Sequence, residues 1–133
     1  MRKFVTFGVF ATLVALASIS LSSTAARASF NATGVYCVQA TGNQFTKGLI
    51  HLTQTNGTIV GSYGHGGQLS ATLNGTVADA KWKDQRGAGW ATLNFTPAGR
   101  DFSGSWGYNG RKAEGDIVAT RIAQGTTNAA ACQ

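Results

Sequence analysis

The chain is short of nearly every group that performs chemistry. Among 133 residues there are five carboxylates, two histidines and two cysteines. The carboxylates are Asp79, Asp84, Asp101, Glu114 and Asp116. Alternation turns Asp79 outward on a strand, and Asp101 sits at a turn. His51 reads as an outer-face residue and His65 lies within Gly64-His65-Gly66-Gly67. A catalytic set needs a nucleophile, a base and an orienting group within hydrogen-bond reach. No such set is expected, so the chain reads as a non-enzyme with no catalytic residue. His51 and His65 lack two further ligands for a metal, and the cysteines show neither CxxC nor Cys/His metal spacing. No metal and no cofactor is assigned. The glycine-rich stretch lacks the lysine and following helix of a phosphate loop, and reads as a hairpin connection. A dense basic stripe is missing too, which argues against a nucleic-acid partner.

What is present begins with Met1-Arg2-Lys3, then a largely apolar run from Phe4 to Leu21, then Ala26-Arg27-Ala28. That order is a secretory signal with cleavage after Ala28. A membrane anchor would want about 20 unbroken apolar residues; this run is interrupted by Thr, Ser and Gly. The expected mature chain starts at Ser29, is secreted or periplasmic, and has no transmembrane segment. Losing Arg2, Lys3 and Arg27 lowers the net charge from +6 to +3. Residues 29–122 are expected to form one domain and 123–133 a small-residue tail. Cys37 and Cys132 read as a disulfide tying that tail to the first strand, given an oxidising compartment; two free thiols are the alternative.

The mature region carries a repeated phrase. Ile59-Val60-Gly61-Ser62-Tyr63 returns as Phe102-Ser103-Gly104-Ser105-Trp106, with the variant Ala78-Asp79-Ala80-Lys81-Trp82. In a strand, residues two apart share a face. Each phrase therefore aligns an apolar residue, a small one and an aromatic ring. Gly61 and Gly104 suggest rings lying across bare backbone. Eight strands are predicted: 34–38, 47–54, 58–63, 68–73, 76–83, 90–96, 101–108 and 115–122. Asn56-Gly57 and Asn74-Gly75 are hairpin turns; they also begin Asn-x-Thr sequons. Residues 84–89 and 109–114 read as polar loops. Regular hairpin spacing argues for an all-β antiparallel meander. Closing it as an up-and-down barrel removes both exposed edges; a β-sandwich is the alternative.

Gly34-Val35-Tyr36 resembles the Gly-x-Trp signature of calycins, in which a first-strand aromatic packs under an arginine from the last strand. The resemblance implies barrel closure by Tyr36 and Arg121. The Gly-Ser-Tyr and Ser-Gly-Ser-Trp phrases are similar to those of avidin and streptavidin. The likeness departs at Val38, where avidin-like proteins place a biotin-binding Asn, and at His65, where they carry another polar contact. Biotin is therefore not the expected ligand.

Counting strand directions gives a functional expectation. If Tyr36 and Arg121 mark the bottom, Tyr63, Trp82 and Trp106 end at the top, facing in. Lys47, Lys83, Arg86, Arg111 and Lys112 share that end with Asp84 and Glu114. Gly61, Ala71, Ala80, Gly104 and Ala119 make a small middle layer beneath. Tyr63, Trp82, Trp106, Lys83 and Arg111 are thus the candidate ligand-binding residues for a small, flat or apolar anionic ligand at the mouth. A filled barrel acting as an inhibitor, surface-binding module or structural envelope protein is the alternative.

Overall fold

The computed structural model describes residues 30–42, 46–64 and 66–132. The signal-like segment 1–28, residues 43–45 and His65 lie outside them. The chain is all-β: eight antiparallel strands in sequential order, closed into a barrel. The strands are β1 (Gly34–Ala40), β2 (Thr46–Thr55), β3 (Thr58–Tyr63), β4 (Gly67–Asn74), β5 (Val77–Asp84), β6 (Gly87–Phe95), β7 (Asp101–Tyr108) and β8 (Gly115–Ile122). β1 pairs with β8 from Val35↔Ile122 to Ala40↔Ile117, which closes the sheet and sets aside the sandwich. Closure pairs both edge strands and leaves no open row of backbone groups.

Period-two patterning explains the register. On β5, Ala78, Ala80 and Trp82 are buried while Val77, Asp79, Lys81 and Lys83 are exposed. Two turns differ from expectation. The β4–β5 turn is Gly75-Thr76, because Asn74 pairs with Val77 and Gly75 takes the positive φ of 64°. The β5–β6 turn is only Gln85-Arg86, so Ala88 and Gly89 belong to β6, not to a loop. Asp84 tightens that turn by accepting a 2.8 Å hydrogen bond from the Arg86 backbone N–H. This is the local side-chain bond that aspartate offers a turn.

Gly61 and Gly104 face aliphatic side chains and backbone, not aromatic rings. A Cβ on Gly61 would meet Leu52 Cδ2 at 2.7 Å, and one on Gly104 would strike the Thr92 carbonyl. Rings cross bare backbone at Gly67, under Tyr63, and at Gly89, under Trp82.

The bottom is closed by aromatics. Tyr36 is fully buried. Its ring lies 5.2 Å from Phe102 and 6.3 Å from Phe95, and Phe30 packs edge-on to Phe95 at 5.3 Å. Arg121 stands over the Tyr36 ring at 5.3 Å and donates from Nη2 to its hydroxyl at 2.7 Å and to the Asn31 carbonyl at 2.6 Å. The Tyr36 hydroxyl lies within hydrogen-bond reach of the Ala32 carbonyl at 2.9 Å and the Gly99 carbonyl at 2.8 Å.

On the outer wall, Cys37 and Cys132 form a disulfide. It holds a short 3-10 helix, Ala129–Cys132, against β1 and β2. Among the described residues no helix is long and apolar enough to cross a membrane.

Candidate functional site

The top of the barrel is lopsided. Strands β5 to β7 carry the bulk: Trp82, Trp106 and Tyr108 meet edge-to-face, with centroids 5.3 to 5.9 Å apart. Their orientations are fixed by polar ties. Trp82 Nε1 donates to the Trp90 carbonyl at 3.1 Å, and Trp106 Nε1 donates to the Thr41 carbonyl at 2.8 Å. Both indole N–H groups serve the protein backbone, so the rings present apolar surface inward.

The facing wall, from β1 to β4, is built of smaller groups. Val38, Ala40, Gly48 and Gly67 line it. Gly48 shares the inner face with Ile50 and Leu52, and a Cβ there would meet no described atom within 4 Å. Between the two walls lies a cavity of about 610 Å³. Leu69, Leu93 and Phe102 line it lower down, and it continues over the rim to Leu49, His51 and the tail residues Thr127 and Ala129. Its size falls within the range of about 300–1,000 Å³ typical of small-molecule sites.

One polar cluster stands at its edge. Asp84 is on the inner face of β5, its side chain only 8 % exposed. Its Oδ2 accepts hydrogen bonds from the Tyr63 hydroxyl at 3.0 Å and from Arg86 Nη2 at 2.8 Å. Burial works to raise the Asp84 pKa, but the Arg86 side chain and backbone, with Tyr63, outweigh it and hold the carboxyl below its ordinary value. Asp84 in turn raises Arg86. Burial, with the neighbouring Asp84 charge, pushes the Tyr63 phenol upward. The cluster stays ionised as a pair at neutral pH.

The structure brings Tyr63, Trp82 and Trp106 together around the cavity, with Arg86. Lys83 and Arg111 are not on it. Lys83 follows Trp82 and so points outward, exposed. Arg111 lies in the β7–β8 connection, its guanidinium 5.8 Å from the Tyr108 ring centre. Trp90 is on the outer face, tied by Nε1 to the Arg111 carbonyl at 3.1 Å. Tyr108, Asp84 and Gly48 were not named as site residues. Tyr108 was readable, since it follows Trp106 by two and shares its face. Gly48 was readable only as a strand residue, because what faces it depends on closure.

Elsewhere, the described residues contain no group of three His, Cys, Asp or Glu placed to hold a metal. A second hollow of about 440 Å³ lies along the outer wall by the disulfide, next to Asn94, Asp101 and Thr120. No family model and no curated protein matches the chain.

Proposed function

We propose that this is a secreted, non-enzymatic binding protein whose barrel mouth holds a small, flat, mainly apolar ligand. The observation that carries the reading is the mouth cavity of about 610 Å³ between the Trp82–Trp106 wall and the small wall at Val38, Ala40 and Gly48. Two indoles with their N–H groups already bonded offer ring faces and edges, which favours an aromatic or apolar body over a polar one. The polar end of the ligand meets Tyr63 and Arg86. An anionic group there faces a guanidinium whose charge is shared with Asp84, so the flat apolar part has more support than the anionic part. Secretion is supported by the signal-like first 28 residues and by the disulfide.

The test is an intrinsic-fluorescence screen of flat aromatic acids and their neutral analogues, with hits measured by calorimetry. Gly48→Leu fills the cavity from the small wall, and Trp82→Phe with Trp106→Leu thins the other. Binding is expected to fall at least tenfold in both variants at unchanged fold. Hits that bind wild type and Gly48→Leu equally would place the ligand elsewhere and refute the reading.

A further inference from the structure

Of the five cations at the mouth end, Lys47 and Arg86 border the cavity, and Lys83, Arg111 and Lys112 do not line it. Lys47 and Lys83 face outward at the top ends of β2 and β5, Arg86 is in the β5–β6 turn, and Arg111 and Lys112 are in the β7–β8 connection. All five are exposed, and they are spread around the rim. Asp84 pairs with Arg86, which leaves Lys47, Lys83, Arg111 and Lys112 against Glu114 and Asp116, a net +2 at this end. Asp84 is turned in and bonded to Arg86, and Glu114 is partly buried. Asp116 is the one exposed carboxylate here among the described residues. At the opposite end Arg100 is the one exposed cation among the described residues, because Arg121 is folded over Tyr36.

We infer that the mouth end docks on an anionic lipid surface. A ring of separated cations around an apolar opening matches a bilayer face, which presents anionic headgroups over apolar chains. A polyanionic strand would instead want the charges aligned along one stripe. Each lysine or arginine brought to such a surface adds about fivefold in affinity, and the attraction fades beyond a Debye length. The inference stands on the exposed rim and does not require the cavity to hold a ligand.

The experiment is co-sedimentation with vesicles of phosphatidylglycerol and phosphatidylcholine in equal parts, against pure phosphatidylcholine, over a salt series. The mouth variant is Lys47→Gln, Lys83→Gln, Lys112→Gln. A control removes the same net charge from the opposite end at exposed sites: Thr55→Glu, Asn74→Asp, Arg100→Gln. Wild type is expected to bind the anionic vesicles alone and to release as salt rises. The mouth variant should lose about 100-fold and the control about threefold or less. Gly48→Leu should bind vesicles like wild type, so failure of the ligand reading and failure of this one are read separately. Equal losses in mouth variant and control, or equal binding to neutral vesicles, would overturn the inference. Refusal of vesicles with retention of single-stranded DNA would overturn it in favour of a nucleic-acid partner.

Discussion

Tyr36→Phe removes one oxygen and leaves the ring, which makes it a clean probe of the closed end. The phenol is fully buried. Its single proton serves two carbonyls, of Ala32 at 2.9 Å and Gly99 at 2.8 Å, while its oxygen accepts from Arg121 Nη2 at 2.7 Å. Phenylalanine keeps the packing on Phe95 and Phe102 and the face presented to Arg121. What is lost is one neutral hydrogen bond, about 1 kcal/mol, and one to a charged donor, about 2 kcal/mol. Arg121 retains its bond to the Asn31 carbonyl at 2.6 Å, which limits the damage. The expected cost is about 3 kcal/mol, or a fall in melting temperature of roughly 15 °C for a domain of this size. Urea unfolding with the disulfide intact measures it, at unchanged m-value. Combining it with Arg121→Met should give a coupling of about 1.5 kcal/mol, as expected for groups in direct contact. A cost under about 0.5 kcal/mol, or strict additivity, would refute the argument that this contact closes the barrel.

Other expectations are more local. Reducing the disulfide, whose cysteines are 95 residues apart, should cost about 4.5 kcal/mol by the chain-entropy model and expose Ala129–Cys132 to hydrogen exchange first. Gly104→Ala drives a Cβ into the Thr92 carbonyl, and a loss on the order of 3 kcal/mol in chemical denaturation is expected. Asp84 titrates below its ordinary value in the folded protein. Its contribution is therefore present above about pH 4 and lost as pH falls, and Asp84→Asn should flatten the acid limb of a stability–pH profile. Tyr36 and Tyr63 are both raised, chiefly by burial. Their contribution holds up to about pH 10 and declines above it as unfolded tyrosines ionise; Tyr63→Phe should shallow that alkaline limb.

Alternation made the inner faces legible before any coordinates. Trp82 and Trp106 face in because each sits two residues from a small neighbour on a strand of period two. The same rule already placed Lys83 outside, one residue past Trp82, and grouping it with the ligand ignored that rule. Arg111 is a different case, since a loop residue's direction is set by the turn and not by alternation. The glycines were misread because ring-over-glycine contacts form between strands. Trp82 lies over Gly89 through the β5–β6 pairing and Tyr63 over Gly67 through β3–β4, so the hairpin register decides which glycine meets which ring. The turn at Gln85-Arg86 was hidden for a related reason. Asp84 acts there both as a turn former and as the inward partner of Tyr63, and no single-residue preference reports both roles.

The central claim is that the mouth is an occupied site and not a gap in a filled scaffold. Native mass spectrometry of protein purified from its own source, beside Gly48→Leu made in the same host, tests it most directly. The account predicts a retained small-molecule mass on wild type that is absent from the variant. A bare polypeptide mass for both, or the same retained mass on both, would contradict it.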